Sequence, residues 1–277
     1  MGNIVWLASF PKSGNTWLRA YLHNLLLNPD VPANINQLNS FCLGEDSAAY
    51  YNHFDPRPCT EMTPKEIAEI RPKVHEMLTR SFSDSVFVKT HNFLGENEGV
   101  PLITLEYTVA AIYLVRNPLD VTISYSRHYG QTIDETIVAM SSPNLGTMTT
   151  DVNVRQIFSS WSKHVKSWTQ KSVRNLLVVR YEDLLAKPLS TFGGIAQFLG
   201  LKPPRNRLKK AIANSSFRAL RKQEEKHGFI ERSKFTRFFR EGREGQWQEV
   251  LTPEQVSTIV AHHREQMQRF DYVPKGY

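Results

Sequence analysis

The sequence predicts an α/β protein in which a central, mostly parallel sheet is flanked by helices on both faces. Four short runs of apolar and β-branched residues have the composition of buried parallel strands. Helical patterns lie between these runs, and at least three of the runs end in a cluster of polar residues. Because strands that alternate with helices build sheets covered by helices, these observations favour the α/β class.

The four predicted strands place polar residues where the ligands of parallel sheets bind, at the carboxyl ends of the strands. The strands are predicted over Ile4–Phe10, Val86–Thr90, Ala110–Arg116 and Leu176–Arg180. The polar residues at their ends, in the same order, are Lys12-Ser13, Lys89-Thr90-His91, Arg116-Asn117 and Tyr181-Glu182-Asp183. These residues are the first candidates for a functional site.

Seven helices are predicted, and two of them carry recognisable start signals. Thr63 and Glu66 have the spacing of a capping box, and Pro118 after Asn117 suits a first helical turn. The predicted helices are Thr16–Leu27, Thr63 to about Arg80, one from Asn117-Pro118, Arg155–Lys171, Leu189–Leu199, Asn206–Ala213 and Pro253–Phe270. Segments 28–62, 92–108 and 128–155 are predicted to be irregular, and we expect these long loops to form the walls of a substrate pocket.

The composition is that of a globular protein with a large core. The chain has 277 residues, 40% of them hydrophobic and 22% charged, and we predict a single domain over residues 1–277. No signal peptide and no apolar run of about 18 residues is visible. Two cysteines, Cys42 and Cys59, are too few for a disulfide framework, and no zinc-ligand spacing surrounds them. We therefore expect a cytoplasmic protein with reduced thiols and no membrane span.

The positive charge is concentrated in one part of the chain. The net charge is +7, but the segment from Lys202 to Arg243 holds fourteen Lys and Arg against four Glu, a net of +10. Such a block is compatible with a nucleic-acid footprint, with a solvated face, or with a cover over a multiply charged small anion. Taken as a whole it favours an anionic partner.

The stretch SFPKSGNTWLRAYL, residues 9–22, has the pattern of a phosphate cradle. A predicted strand leads into a small-residue turn that carries Lys12, and a helical pattern follows directly. Such a turn exposes backbone N–H groups, and the helix N-terminus adds about half a positive charge. The pattern is not the G-x-x-x-x-G-K-[ST] loop of nucleotide triphosphatases, because Lys12 precedes Gly14 and the first glycine is missing.

Three further stretches carry residues suited to anion binding or proton transfer. Arg116 at a strand end can grip a phosphate with its two-pronged guanidinium, assisted by the hydroxyl of Ser124. In FFREGREGQWQ, residues 238–248, Arg240 and two glycines can fold backbone amides around an anion. In FVKTH, residues 87–91, His91 follows Lys89 and has the chemistry of a general base, while the lysines can neutralise charge on a departing oxygen.

Six stretches, in the same order along nearly the whole chain, resemble the sulfotransferases that use 3′-phosphoadenosine-5′-phosphosulfate (PAPS). FPKSGNTWL is similar to their 5′-phosphosulfate loop, usually written YPKSGTTWL, and LVRNPLDVTISYSRH to their 3′-phosphate motif. FFREGREGQW resembles the late R-K-G-x-x-G-x-W element, and VKTH the segment with the catalytic histidine. RYEDL resembles the tyrosine-bearing strand end, and NSSFRAL the adenine-side stretch. The resemblance implies the P-loop-like sulfotransferase fold in a bacterial-type member.

The resemblance also implies a role for each matching residue. The 5′ end of the nucleotide would be wrapped by Lys12, Ser13, Gly14, Asn15 and Thr16. Trp17 and Phe217 would contact the adenine, with Tyr181 and Ser215 hydrogen-bonding near it. The 3′-phosphate would be held by Arg116, Ser124, Arg240 and Gly242. His91 would be the general base of an in-line displacement, Lys12 and Lys89 would stabilise the bridging oxygen, and Ser124 completes the implied catalytic set.

The same resemblance implies PAPS as co-substrate, 3′-phosphoadenosine-5′-phosphate (PAP) as product, a small-molecule hydroxyl or amine as acceptor, and no metal. Two residues depart from the family pattern. Asn15 stands where many members have Thr, and Glu241 replaces the Lys of R-K-G. A carboxylate beside a phosphate repels it unless Glu241 points away, and we expect Arg243 to supply the lost charge. The sequence identifies neither the acceptor nor an oligomeric state, and a homo-oligomer is compatible with it.

Two other classes of protein compete with this interpretation. A small-molecule or nucleoside kinase would share the broad fold, but it needs a Walker A loop and a strand-end Asp for Mg²⁺, and the third strand ends in Arg116. A nucleic-acid-binding protein would use the basic block, yet no helix-turn-helix, zinc finger or RNP motif is present. A relative that has lost transfer is disfavoured by intact Lys12, Lys89 and His91.

Overall fold

A computed structural model describes residues 3–170 and 175–277, and it has the predicted α/β fold. Its central sheet has five parallel strands in the order β2-β3-β1-β6-β7, flanked by helices. The strands are β1 (Asn3–Ser9), β2 (Leu43–Gly44), β3 (Ser85–Thr90), β4 (Glu96–Asn97), β5 (Val100–Pro101), β6 (Thr108–Val115) and β7 (Leu176–Arg180). The two remaining strands, β4 and β5, form a small antiparallel pair.

The centre of the sheet is the pair β1 and β3. They run parallel in a register from Asn3 opposite Ser85 to Ala8 opposite Thr90, and every β1 side chain from Ile4 to Ser9 is buried. The four predicted strands are confirmed with ends shifted by at most two residues. The short strand β2, which pairs with β3, was not predicted because two residues carry no periodic pattern.

Thirteen α-helices and three short 3-10 turns occur in the described parts of the chain. The helices are α1 (Asn15–Leu27), α2 (Leu38–Phe41), α3 (Ala48–Asn52), α4 (Pro64–Leu78), α5 (Pro118–Tyr129), α6 (Ile133–Ser141), α7 (Trp161–Thr169), α8 (Tyr181–Ala186), α9 (Pro188–Phe198), α10 (Arg205–Asn214), α11 (Phe217–His227), α12 (Trp247–Val250) and α13 (Pro253–Arg269). The 3-10 turns are Ile35–Gln37, Cys59–Glu61 and Leu105–Tyr107.

The capping box of α4 is present as predicted. The amide of Glu66 donates to Thr63 Oγ1 at 3.2 Å, and the amide of Thr63 donates to Glu66 Oε2 at 2.7 Å. The same signal opens α6, where Thr132 and Glu135 exchange equivalent bonds. The prediction that segment 128–155 is irregular is therefore wrong over α6, and Thr132-x-x-Glu135 was the sequence signal for it.

The predicted helix Arg155–Lys171 is too long at its start. The helix α7 begins only at Trp161, because Ser160 caps it by accepting a bond from the amide of Lys163 at 3.2 Å. The preceding Ser159 has a φ of 59°, which no helix tolerates. Lys171 lies outside the described residues.

The described chain divides into two compact units, each assembled from three separate stretches. The first comprises the described residues of Met1–Phe10, Cys42–Tyr113 and Ala139–Val178. In its core the indole of Trp6 donates to Thr108 Oγ1 at 2.8 Å and meets the His75 ring edge-on. The prediction of a single domain over residues 1–277 stays a prediction.

The second unit comprises Pro11–Phe41, Leu114–Val138 and Val179–Tyr277. One of its core clusters is lined by aromatic residues from three stretches of the chain. It contains the buried residues Ala20, Ile35, Leu38, Leu220, Phe229 and Phe239, with Trp17, Phe217 and Phe238 packed against it. Trp17 and Phe217, the two predicted adenine contacts, thus share one apolar support.

The described residues lack two kinds of structural feature. None of their helices is long and apolar enough to span a membrane. They also contain no group of three or more His, Cys, Asp or Glu side chains arranged to hold a metal ion. The two cysteines are free thiols, both buried.

Candidate functional site

The turn before α1 combines left-handed backbone geometry with a buried hydroxyl group. Lys12 has a φ of 66° and Gly14 a φ of 104°, so two of the turn residues adopt left-handed backbone geometry. A Cβ on Gly14 would stand 2.8 Å from Cδ2 of Tyr181, so only glycine fits at this position. The fully buried Ser13 hydroxyl has no hydrogen-bond partner within residues 3–170 and 175–277. A buried orphan hydroxyl beside a helix N-terminus suits a phosphate or sulfate group.

The ammonium group of Lys12 is held by two aromatic side chains of the second unit. Its Nζ lies 4.0 Å from the centroid of the Phe238 ring and 3.3 Å from Nδ1 of His128. A cation over the face of an aromatic ring is attracted by the negative π surface. The lysine is therefore oriented by its surroundings and does not extend freely from the turn.

Thr16, predicted to wrap the 5′ end of the nucleotide, takes part in a polar cluster behind the turn. Its hydroxyl donates to Glu231 Oε2 at 3.3 Å and accepts a bond from Nη2 of Arg19 at 3.1 Å. Arg19 is fully buried and binds both oxygens of Glu231, at 2.7 and 2.8 Å. The first helix of the second unit is thereby tied to the segment that follows α11.

Arg116 directly follows β6, one residue beyond the strand end, and it is almost fully buried. Its Nη1 donates to the carbonyl oxygen of Lys12 at 3.0 Å. Its Cζ lies 4.2 Å from the ring centroid of Tyr181. The Nε of Arg116 has no hydrogen-bond partner among the residues described. Arg116 is thus held beside the turn that contains Lys12, and its Nε–H donor is unused within the described residues.

Asp120 joins this strand-end segment to the late glycine-rich segment. It is buried, and its carboxylate accepts bonds from the amides of Gly245 at 2.7 Å and Trp247 at 3.1 Å. No sequence motif predicted this anchor, although Asp120 follows Asn117 by three residues. These two bonds attach the late segment to α5 through the amides of Gly245 and Trp247. The same segment contains Arg240 and Gly242.

Glu182 joins the segment after β6 to the C-terminal segment. Its carboxylate accepts bonds from the amide of Asn117 at 3.0 Å and from the hydroxyl of Tyr272 at 2.7 Å. Burial raises the pKa of Glu182, while the bonds to Asn117 and Tyr272 oppose that effect. Both oxygens of the Glu182 carboxylate thus serve bonds that join the start of α5 to the C-terminal segment.

Gly242 and Phe217 are in direct contact. Gly242 has a φ of 64°, and an added Cβ would stand 2.3 Å from two carbons of the Phe217 ring. Trp17 lies near Tyr181, with ring centroids 5.7 Å apart, and its indole Nε1 has no hydrogen-bond partner in the described part of the chain. The predicted adenine-side and phosphate-side residues of the second unit are therefore packed together.

The remaining predicted nucleotide contacts have mixed surroundings. The Ser215 hydroxyl is buried and donates to the carbonyl oxygen of Ala211 at 2.8 Å, so its proton serves the end of α10. Asn15 is buried as the first residue of α1, and Ser124 is half-buried within α5. Arg240 is half-buried in the late segment.

Glu241, which replaces the lysine of the family pattern, forms an ion pair with Arg243. Oε2 of Glu241 lies 3.6 Å from Nε of Arg243, so the carboxylate faces a cation. Arg243 in turn donates to both oxygens of Glu249, at 2.8 and 2.6 Å. The charge of Arg243 is therefore already balanced by two carboxylates, which argues against the expectation that it replaces the missing lysine.

In the first unit the structure fixes the imidazole of His91. Its Nδ1 lies 2.8 Å from the carbonyl oxygen of Ser9, an acceptor only, so Nδ1 carries the proton. A neutral ring protonated at Nδ1 keeps its lone pair on Nε2. The backbone of His91 is held as well, because His164 Nε2 donates to its carbonyl oxygen at 3.1 Å.

A buried polar network anchors the residues on either side of His91. The Asn92 side chain donates to Glu45 at 2.8 Å and accepts from the amide of Ile157 at 2.7 Å. Glu45 also accepts bonds from the Thr90 hydroxyl and from His75. Glu45 and Asn92 were not predicted because neither belongs to a motif. Lys89 is half-buried in β3, where it is paired in register with Leu7.

These features define an α/β protein with a lysine-bearing turn at the start of a helix and a buried arginine at a strand end. The chain matches the Sulfotransferase domain family over residues 3–271, and it belongs to that family. The resemblance drawn from the six sequence motifs is thereby confirmed. The kinase and nucleic-acid interpretations receive no support.

Named relatives agree with this assignment. Sulfotransferase 1E1 of Homo sapiens is 25% identical over 271 residues, covering 94% of this chain and 82% of the relative. Sulfotransferase 2A6 of Rattus norvegicus is 28% identical over 166 residues, or 57% of each chain. The matched region thus spans little more than half the length of the rat relative.

Solved structures share the fold. A structure of mouse sulfotransferase SULT7A1 complexed with PAP has a TM-score of 0.65 at 20% identity, covering 98% of this chain and 90% of that one. Retinol dehydratase in a complex with retinol and PAP has a TM-score of 0.65 at 18% identity, covering 96% and 81%. The predicted sulfotransferase fold is therefore confirmed.

Proposed function

We propose that this chain, acting as a single domain, transfers the sulfuryl group of PAPS to a hydroxyl or amine of a small-molecule acceptor. The observation that carries the proposal is the environment of Arg116. Its guanidinium is nearly buried, bonded to the Lys12 carbonyl oxygen and stacked on Tyr181, and its Nε lacks a partner in the described residues. A buried guanidinium with unused donor capacity favours an anionic ligand.

The second unit offers a matching set of groups for a nucleotide with phosphate or sulfate at both ends. Ser13 Oγ, Arg116 Nε and Trp17 Nε1 are buried polar atoms without a partner among the described residues. Each is a donor, which suits the oxygens and ring nitrogens of such a nucleotide. The 5′ end would be held by Lys12, Ser13, Gly14, Asn15 and Thr16. The 3′-phosphate would be held by Arg116, Ser124, Arg240 and Gly242. The adenosine would be held by Trp17, Tyr181, Ser215 and Phe217.

The relatives lend further support. The mouse sulfotransferase and the retinol dehydratase that share this fold both bind PAP. PAP is the nucleotide that remains after the sulfuryl group of PAPS has left. We therefore infer that the same nucleotide occupies the Arg116 and Lys12 region of this chain.

The proposed chemistry assigns His91 as the general base. PAPS supplies an activated sulfuryl group with a phosphate oxygen as leaving group. His91 Nε2, which holds the lone pair of the Nδ1-protonated ring, would take the proton of the acceptor hydroxyl or amine. Lys12 and Lys89 would lower the barrier by stabilising negative charge as it grows on the bridging oxygen.

Calorimetric titration of the purified protein with PAP tests the nucleotide assignment. Parallel titrations use ATP–Mg²⁺ and adenosine 5′-phosphosulfate. Tight binding of PAP alone supports a site that recognises the 3′-phosphate. A preference for ATP–Mg²⁺, or no binding of any of the three, would overturn the proposal.

Substitution of His91 by Ala tests the base. We expect a decrease in turnover of about 10²- to 10⁴-fold, measured with PAPS and a panel of phenols, aliphatic alcohols and amines. PAP affinity should stay near that of the wild type, since no nucleotide contact is assigned to His91. His262→Ala, at an exposed histidine of α13 outside the predicted pocket walls, is the control. Full activity of the His91 variant would remove His91 from the role.

A further inference from the structure

His128 is the last residue of the stretch LVRNPLDVTISYSRH, but the resemblance assigns it no role. It contacts Lys12 of the turn before α1. It lies in the last turn of α5, and its Nδ1 is 3.3 Å from Nζ of Lys12. Both residues are part of the second unit. The sequence separation is 116 residues, so the contact exists only in the folded chain.

The chemistry of the pair fixes the direction of the hydrogen bond. A lysine ammonium group has three donors and no acceptor. His128 Nδ1 must therefore accept, which places the ring proton on Nε2 and keeps the imidazole neutral in this contact. A protonated His128 would instead set two cations 3.3 Å apart.

The other side of the Lys12 ammonium is also fixed. It lies over the ring of Phe238. The backbone amide of Phe238 donates to the Glu224 carboxylate at 2.7 Å. The neighbouring amide of Phe239 donates to the second oxygen of the same buried carboxylate at 2.8 Å. His128 also meets the Phe238 ring edge-on, with centroids 5.9 Å apart. The ammonium thus lies between an anchored ring and an imidazole acceptor.

Lys12 needs such support because its side chain has four rotatable bonds and a strongly hydrated head. A cation that stabilises a transition state contributes most when it is already in place, without reorganisation during the reaction. A misplacement of about 1 Å can cost about 10²-fold in rate. The His128 acceptor removes part of that freedom.

We propose that His128 is a positioning residue for sulfuryl transfer, which acts by holding the ammonium of Lys12 in the orientation that serves the bridging oxygen. This rests on the proposed function. The role of His128 differs from that proposed for His91, since His128 works through Lys12 and exchanges no proton with the acceptor.

The first test compares His128→Phe with His128→Asn. Phe keeps a planar ring and lacks an acceptor, whereas Asn supplies an oxygen close to the place of Nδ1. We expect H128F to lower kcat about 10- to 100-fold with the KM of the acceptor nearly unchanged, and H128N to recover most of the loss. His227→Phe, at an exposed histidine at the end of α11, is the control. If H128F does not fold, H128L removes the same acceptor with a smaller side chain.

A double-mutant cycle with Lys12→Met tests whether His128 acts through Lys12. Because the two residues touch, the change at His128 should have no further effect on kcat once the ammonium is gone. An additive loss in the double variant, or H128F turnover equal to that of the wild type, would overturn the role of His128.

The wild-type protein separates this inference from the proposed function. If it binds PAP and transfers from PAPS while the His128 variants behave as wild type, only the positioning role fails. If the wild type neither binds PAP nor transfers, both proposals fail. A rescue by H128N together with a non-additive cycle would support the positioning role specifically.

Discussion

The guanidinium of Arg116 lies over the ring of Tyr181, with Cζ 4.2 Å from the ring centroid. Tyr181 is the first residue of α8 and directly follows β7. Two predicted site residues that lie 65 positions apart in the sequence are therefore in contact. This contact and the bond to the Lys12 carbonyl oxygen restrict the guanidinium, and so they restrict the directions of its N–H donors.

Replacement of Arg116 by Ala should weaken PAP binding without unfolding the protein. Charge-assisted hydrogen bonds contribute about 1.5–3 kcal/mol each, so we expect a loss in affinity of at least about tenfold. Arg116→Lys keeps the charge but loses the fork and the stacking, and should lie between Ala and the wild type. Arg218→Ala, at an exposed position of α11, is the control. Calorimetry with PAP gives the answer, and unchanged affinity in R116A would remove Arg116 from the site.

Replacement of Gly242 by Ala should displace Phe217 and reduce PAP affinity. The new Cβ would stand 2.3 Å from the Phe217 ring, a distance that forces the ring or the late segment to move. Gly245→Ala is a close control, because Gly245 also has a positive φ, 77°, while its nearest atom to a new Cβ is 3.8 Å away. Both variants carry a backbone strain of about 1 kcal/mol. Only G242A should bind PAP more weakly than this shared strain explains. Equal PAP affinities of G242A and G245A would contradict the assignment of Gly242 to the nucleotide site.

Replacement of Asp120 by Asn should loosen the late segment. The amide side chain retains one acceptor oxygen, so one of the two bonds from Gly245 and Trp247 is lost. We expect a decrease in the free energy of unfolding of about 1–3 kcal/mol, measured by urea denaturation, with weaker PAP binding. Asp134→Asn, at an exposed residue that accepts one bond from Gln255, should cost much less. A D120N protein as stable as D134N would show that the buried carboxylate is not an anchor.

Acid should destabilise the first unit through His164. Burial lowers the pKa of His164 from 6.5 to about 3. The ring is thus neutral in the folded protein at pH values where the unfolded chain protonates it. The stability that depends on the neutral ring is complete above pH 6.5 and is lost as the pH falls from there toward 3.

The matching experiment compares denaturation curves across that pH range. His164→Gln removes the titrating group, so its free energy of unfolding should fall less steeply with acid, by up to about 1.4 kcal/mol per pH unit. Tyr113→Phe removes only the bond between the Tyr113 hydroxyl and His164 Nδ1, 2.9 Å long, and should lower stability without flattening the slope. Parallel curves for H164Q and wild type would contradict the cause assigned here.

The sequence predicted those elements whose physical signals are local. The strands β1, β3, β6 and β7 are apolar runs, and the caps of α4 and α5 are short-range patterns that the structure reproduces. The helix α11 was missed because its basic composition indicated a charged surface, although Ser216 caps it by accepting from the amide of Ala219. The helix α8 was missed because six residues are too few to show a helical period.

The motif positions were predictable because each combines a charged residue with a turn or a strand end. The residues that support them were not, since they lie far away in sequence. His128 approaches Lys12 across 116 positions, and Asp120 reaches Gly245 across 125. Neither contact produces a periodic or compositional signal. The same holds for Glu45, which holds Asn92 from 47 positions away.

The bonds of Asp120 to Gly245 and Trp247 have a consequence for the newly made chain. Because they join residues 125 and 127 positions apart, the late segment can be anchored only after the ribosome has released Trp247. Contacts of such long range form slowly compared with local turns. The nucleotide itself would bind only the finished arrangement, so a cell rich in this nucleotide would favour the folded chain over its incomplete precursors by mass action.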